Sequence, residues 1–492
     1  MPNHIYRFRS VTNLRKFNEL NSQEFYVAHP SELNDPMEGY KHVFWYGDRI
    51  LWENLLKHYM LCLTGITVFC QEMADDEFRA PQIPVLLTED DFPSDAFRTT
   101  YRTALNEFLT LPRTRQVLEL LVASKFPVQR EQLSYCLFMI HAFAMQAVRN
   151  AFVQSKQLRN RHSQVNSVAD SITDALSELA SAFEKLDDNE NVASAWFRVA
   201  ESRNRGIRLA FLHSKLAGLS KEKLRKCDWL QFCFSDEYVD ALGSLIHPDW
   251  YTVCFSGTCE NASLWSTYAE HHRGVVLMFR TEENKTGKPG LRIKAAIGAG
   301  GTKESTCFDF DTRHCPLYQV RYTSAAPRVN FFPHIAGLPI DKIRKTWHSD
   351  EKGRISPLVD KIYQDESAWR QEHWEYCYQS ATTKLSDWEH EEELRLVFSD
   401  SLGLFKQNRK VTYDFSSLAG MVFGLRTAEH DKLAILEIIE RKCMESNRSD
   451  FQFFETQYSP STSKLIVVPI HGISFASSKS ENPEFSFPRD LE

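Results

Sequence analysis

The sequence predicts an α+β protein: a mixed β core whose chain is interrupted by a large helical block. Two textures carry this reading. Residues 1–45 and 247–475 hold short runs rich in β-branched and aromatic residues, separated by turns, whereas residues 50–246 repeat their apolar positions at helical spacing. After Pro248 the strands mix with separate helices instead of alternating with them one by one, which favours α+β over a doubly wound sheet. The expected division is an α+β core of residues 1–49 and 247–480, a helical insertion at 50–246, and a loose tail at 481–492.

His4–Ser10 is the expected first strand, followed by a helix from Thr12 to Leu20. A second strand over Glu24–His29 ends at Pro30 and the turn segment Ser31-Glu32-Leu33-Asn34-Asp35-Pro36. In the helical block, Trp52, Leu55, Leu56, Tyr59, Met60 and Leu63 share a face. So do Phe97, Tyr101, Leu105, Phe108 and Leu109, before Pro112 is expected to stop that element. Ile172, Leu176, Leu179, Phe183 and Leu186 form a further stripe that suits a bundle core, and the polar stretch 187–191 reads as a loop. Leu133–Val148 is the most apolar stretch; it is short for a membrane span and contains Tyr135, His141 and Gln146, so a buried helix is expected. Later strands are expected at Trp250–Ser256, Gly274–Arg280, Pro316–Thr323, Glu393–Phe398, Gly420–Leu425 and Lys464–Ile470. Helices intervene near 357–380 and 428–443, the second with Leu433, Leu436 and Ile439 on one side.

A chain of 492 residues has room for about three domains and for a core that needs no metal or disulfide. A net charge of −7 excludes broad nonspecific binding to nucleic acid, though a local basic groove stays open. Eleven cysteines in no regular frame read as reduced thiols. With no export signal or membrane span legible, a cytoplasmic protein is expected. Cys307, His314 and Cys315 are the nearest approach to a metal cluster, but a second ligand pair is missing and no metal is expected. Gly298, Gly300 and Gly301 match neither a dinucleotide fingerprint nor a P-loop and read as a flexible turn.

Three segments could carry chemistry. If a strand runs from Glu391, then Glu391, Glu393 and Arg395 share one face, each about 7 Å from the next. Leu394, Leu396 and Phe398 share the other face with Glu392. Two carboxylates so spaced can divide labour, one stabilising positive charge and one positioning an acceptor; the plainer reading is a solvated face with an ion pair. Asn34-Asp35-Pro36 favours a fixed turn that either staples a loop or aims Asn34, Asp35 and Glu38 into a pocket. Leu264, Trp265 and Tyr268 share a short helix after a strand ending at Ser256; Trp265 and Tyr268 either stack on a ring or fill the core. Ser256 has no nucleophile elbow around it.

Taken together, Tyr6-Arg7-Phe8-Arg9, Asn34-Asp35-Pro36-Met37-Glu38, Cys254-Phe255-Ser256, Trp265-Ser266-Thr267-Tyr268 with Gly274, Trp388 with Glu391-Glu392-Glu393-Leu394-Arg395, and Met421-Val422-Phe423-Gly424 resemble a bacterial family known as domain of unknown function 2971. The resemblance covers about residues 4–45 and 250–440 and makes the helical block an insertion. The layout also resembles the ADP-ribosyltransferase fold, a split mixed β structure holding NAD in a cleft. That resemblance implies ADP-ribosyl transfer or NAD glycohydrolysis, in a toxin or phage-defence effector, with NAD as substrate. It implies Arg7 or Arg9 on the diphosphate or ribose, supported by Tyr6, Asn34, Asp35, Glu38 and Ser256, and Trp265 or Tyr268 beside a ring. Glu393 would stabilise the oxocarbenium-like transition state, Glu391 would orient the acceptor, and Arg395 would hold both carboxylates. The acceptor could be a protein or nucleic acid, and the helical insertion a surface for a protein partner. Two other readings stand beside it: a metal-dependent nuclease or phosphodiesterase using Asp35, Glu38, Glu391 and Glu393, and a non-catalytic binding or regulatory module.

Overall fold

The computed structural model describes residues 4–35, 37–39, 42–72, 80–155, 226–302, 305–400, 402–473 and 475, with isolated positions between 195 and 213. The stripe from Ile172 to Leu186, the loop at 187–191 and the tail at 481–492 lie outside them. The chain forms two compact units: Met1–Tyr40, Asp249–Pro327 and Tyr378–Glu492 make one, and Lys41–Pro248 and Arg328–Cys377 the other. Residues 328–377, expected in the β core, therefore belong with the helices. The reason is apolar: Phe331, Phe332, Ile343 and Trp347 are buried in the same cluster as Trp52, Leu55 and Tyr59.

Among the described residues the strands are β1 (His4–Arg9), β2 (Glu24–Tyr26), β3 (His42–Trp45), β4 (Val128–Gln129), β5 (Trp250–Ser256), β6 (Val275–Arg280), β7 (Glu282–Glu283), β8 (Pro289–Thr302) and β9 (Ser305–Gln319). They continue with β10 (Arg321–Thr323), β11 (Arg328–Asn330), β12 (Thr383–Leu385), β13 (Glu393–Ser399), β14 (Lys410–Tyr413), β15 (Leu418–Phe423), β16 (Gln452–Ser459) and β17 (Lys464–Pro469).

The first unit is built on a curled, mixed sheet in the order β17-β16-β15-β6-β1-β5-β13-β9-β8-β14-β2, with β7 on β8. β5 and β6 are buried along nearly their whole length, as their continuous apolar runs require. In β13 the alternation sends Leu394, Leu396 and Phe398 into the apolar cluster they share with Phe25, Phe255 and Phe279. The chain enters β13 through a 3-10 turn, Ser386–Glu391, and Glu392 at φ 45°, so the strand begins at Glu393 and not at Glu391.

The sheet parts in its middle. β1 pairs with β6 from His4 to Arg9 but with β5 only at Tyr6 opposite Ser256. Farther along β5, Thr252 exchanges both main-chain hydrogen bonds, each 2.9 Å, with Ala28 just beyond β2. β1 and the segment after β2 thus diverge from one strand and leave a gap beside Cys254. Gly274 fixes the start of β6 against β1, since a Cβ there would run into the Arg9 carbonyl.

The second unit is mainly helical. Arg49–Glu72, Asp95–Thr110, Pro112–Ala123 and Arg130–Gln154 pack around Leu56, Phe108, Leu121 and Ile140. The helix Asp95–Thr110 stops just before Pro112, as expected, and Pro112 also opens the next helix, since proline suits a first helical position because it lacks the N–H that would be unpaired there. Arg130–Gln154 is long and apolar enough by composition to cross a membrane, and its Leu133, Leu137, Ala144 and Val148 are buried among the other helices. Two sequence expectations in the first unit also change. Gly298, Gly300 and Gly301 are strand residues of the long β8–β9 hairpin, paired with Asp309, Cys307 and Thr306. In the helix Glu429–Glu445, Ile435, Ile439 and Cys443 make the buried face, four residues apart, and Leu433 is exposed.

Candidate functional site

The gap between β1 and β5 opens into a cavity of about 650 Å³, within the usual range of small-molecule sites. Tyr6, Arg7 and Arg9 of β1 line one side, Cys254 and Ser256 of β5 another, and Asn34, Tyr268, Lys384, Glu391 and Glu393 complete the wall. Segments separated by more than 350 residues in sequence therefore meet at one hollow.

Its acidic wall is a buried ionic network. Arg395 is 0% exposed and uses all five of its N–H donors. Nε and Nη2 each donate at 2.8 Å to the two oxygens of Glu393. Nη1 and Nη2 donate to Glu38 at 2.6 and 2.9 Å, and Nη1 donates at 2.8 Å to the Ala381 carbonyl. Two fork-shaped pairs on one guanidinium fix its plane and both carboxylates. Lys384 stands beside them, its Nζ at 2.6 Å from Glu391 Oε2 and 3.2 Å from Glu393 Oε2. The Trp388 ring covers that ammonium at 4.6 Å. Tyr268 donates its hydroxyl proton to Glu391 Oε1 at 2.6 Å, and Asn34 is a further partner of that hydroxyl. The Glu393 main-chain N–H donates to the Tyr322 hydroxyl at 2.8 Å, and Ser256 Oγ donates to the Glu391 carbonyl at 2.9 Å.

Three carboxylates face two cations here. Burial alone would raise the Glu393 carboxyl, but the charge and hydrogen bonds of Arg395, with Lys384 behind, bring it down to about 2. Burial would likewise lower Lys384; Glu393 and Glu391 outweigh it and hold the ammonium above its ordinary value. Burial and the adjoining Glu391 push the Tyr268 hydroxyl well up, so it stays a donor.

Arg7 and Arg9 bring positive charge to the same cavity, which Glu19, Glu24, Glu32 and Lys410 also line. Arg7 lies over the rings of Phe25 and Phe255 at 5.1 and 5.9 Å and donates from Nη1 to the Cys254 carbonyl at 3.4 Å, while its buried Nε has no partner. Burial and the neighbouring Arg9 bring its guanidinium down to about 10, still cationic at neutral pH. Arg9 is tied by a two-point ion pair to Glu19.

The Asn-Asp-Pro turn splits its residues. Asn34 lines the cavity. Asp35 is a buried staple whose Oδ1 accepts from the Met37 N–H at 2.9 Å, and Glu38 is turned inward onto Arg395. Gly39 follows at φ 68°, where a Cβ would press on Pro30 and Trp250. Asp35 and Glu38 are therefore support, not cavity lining as the sequence suggested, and Arg395 lies behind Glu393 in the same way. Trp265 is also corrected: it is 0% exposed, donates to the Cys259 carbonyl at 2.7 Å, and packs edge-on against Phe8. Tyr268, one helical turn along, faces the cavity in its place. Lys384, Tyr322 and Glu19 went unnoticed in the sequence; each is a single polar residue in an ordinary local pattern, and only their partners reveal them.

Among the described residues no three His, Cys, Asp or Glu side chains are grouped to hold a metal. Asp35 is engaged by the Met37 N–H, and Glu391 and Glu393 already carry Lys384 and Arg395, which leaves little charge to attract a divalent ion. Compared with protein-family models, curated proteins and solved structures, the chain has no match in any of the three.

Proposed function

We propose that the cavity between β1 and β5 binds NAD and that the chain cleaves its nicotinamide–ribose bond. The observation that carries this reading is that the Glu391 and Glu393 carboxylates and Arg7, whose Nε is buried without a partner, line one cavity. An anionic dinucleotide needs a cation for its diphosphate, and a departing nicotinamide leaves positive charge on the ribose that a fixed carboxylate stabilises. In this reading Arg7 holds phosphate oxygens. Tyr268 and Asn34 border the ribose, Glu393 faces its developing charge, Arg395 and Lys384 keep Glu393 ionised, and Glu38 holds the Arg395 guanidinium still. The resemblance of the sequence layout to the ADP-ribosyltransferase fold points the same way.

The test is incubation of the full chain with NAD and detection of nicotinamide. Glu393→Gln keeps an acceptor for Arg395 but loses the charge, so nicotinamide release should fall by at least ~100-fold, the scale of losing one charge-stabilising group. Undiminished turnover in that variant, or no release by the unaltered chain, ends the reading. One observation favours a second: both Glu393 oxygens already accept from Arg395 and Lys384. A pocket so tied suits binding without turnover, in which case NAD raises the unfolding temperature and is recovered intact.

A further inference from the structure

Of the two carboxylates bound to Lys384 that line the cavity, Glu391 is the one outside the Arg395 clamp, and its partners restrict what it can hold. Tyr268 occupies Oε1 and Lys384 occupies Oε2, both at 2.6 Å. Trp388 stacks on the Lys384 ammonium, and Glu393 accepts from the same Nζ, so this cation is fixed in place. A guanidinium or ammonium seeks a carboxylate with charge to spare and, for a guanidinium, both oxygens side by side. Here a second cation on Glu391 would stand next to Lys384 and be repelled by it. A neutral O–H donor needs only one remaining lone pair and meets no such repulsion.

We infer, on the NAD-cleaving reading above, that the acceptor at this site is water and not a cationic side chain, because Lys384 already answers the charge of Glu391 while each of its oxygens keeps a lone pair for a neutral donor. The bond from the nicotinamide nitrogen to ribose C1′ breaks, and its electron pair leaves with neutral nicotinamide. The water oxygen forms the new bond to C1′, and its proton passes by way of Glu391 to solvent. NAD⁺ and water give nicotinamide, ADP-ribose and one proton. Lys384 is a positioning residue in this scheme: it selects the acceptor through Glu391.

The experiment supplies NAD with a large excess of agmatine, a small guanidine, and separates free ADP-ribose from the agmatine adduct. The unaltered chain should release nicotinamide and free ADP-ribose in equal amounts, with adduct below about 1% of product. Lys384→Met, which keeps the stem on Trp388, should raise the adduct share at least tenfold. Tyr268→Phe, which frees Oε1 and keeps the ring, should raise it too, and serves if the lysine variant does not fold. Adduct as a main product of the unaltered chain overturns the inference while leaving NAD cleavage standing. Free ADP-ribose alone from both variants overturns the role of these two side chains. No nicotinamide from the unaltered chain sinks the underlying reading, and this inference with it.

Discussion

In the sheet unit, Arg395 is buried with its charge answered by Glu38 and Glu393; in the helical unit, three of the buried histidines carry no charge at all. His58, His141 and His348 repeat one arrangement. Nε2 meets a main-chain carbonyl, of Val85, Leu230 and Phe332 at 2.9, 2.7 and 2.8 Å, so it carries the proton. Nδ1 then accepts from a tyrosine hydroxyl, of Tyr238, Tyr59 and Tyr363 at 2.8, 2.7 and 2.8 Å. Burial brings all three imidazoles down to about 4. Neutral pairs satisfy buried polar atoms at small cost, whereas a buried ionic network contributes little net stability compared with apolar residues of the same size. The sheet unit carries the dearer arrangement, and it does so on the wall of a cavity. That contrast separates polar groups that hold a core together from polar groups arranged for a ligand.

The contrast can be broken by acid. A histidine whose folded value lies below its unfolded value near 6.5 gives its full stability above pH 6.5 and loses it as pH falls toward 4. Each of the three should lose about 3 kcal/mol over that interval. Glu393, held at about 2, stabilises fully above its ordinary value near 4.5 and loses that contribution only as pH falls from 4.5 toward 2. Denaturant unfolding from pH 7 to 3, read in the two units by exchange of buried amides, should show the helical unit weakening first. Simultaneous weakening, or the sheet unit first, breaks the comparison.

Smaller effects sharpen it. Arg395→Met leaves the buried Glu38 and Glu393 with Lys384 alone and should cost about 3–5 kcal/mol in denaturant unfolding; a neutral outcome would mean the ionic network is no more demanding than the histidine pairs. Tyr238→Phe leaves His58 Nδ1 without a donor and should cost about 1–3 kcal/mol, lowering the thermal midpoint of the helical unit. Tyr322→Phe removes the acceptor of the Glu393 N–H and should cost about 1 kcal/mol. Its larger signature should be a slower release of nicotinamide, because the backbone under Glu393 is freed.

Much of this was legible in the sequence where the pattern is local. The apolar face of Leu394, Leu396 and Phe398, the helix bearing Tyr268, and the strands at Trp250–Ser256 and Val275–Arg280 follow from periodicity over a few residues. Errors arose where a local rule had two outcomes. Glycines at 298–301 suit a turn or a hairpin strand, and Trp265 suits a ligand or a core. Of the candidate residues, Tyr6, Arg7, Arg9, Asn34, Ser256, Tyr268, Glu391 and Glu393 line the cavity, while Asp35, Glu38, Trp265 and Arg395 support it from behind.

By itself the sequence determined the elements with a clear period, such as Trp250–Ser256 and Val275–Arg280, and which side chains on one strand share a face, because those depend on periods of 2 and 3.6 residues along the chain. Only the tertiary structure decided that β1 leaves β5 after Tyr6, that Glu38 reaches Arg395 across 357 positions, and that Lys384 joins Glu391 to Glu393. Such pairings have no local period. They are set by how the sheet curls and by the need of each buried charge for a partner, and that need is met through space.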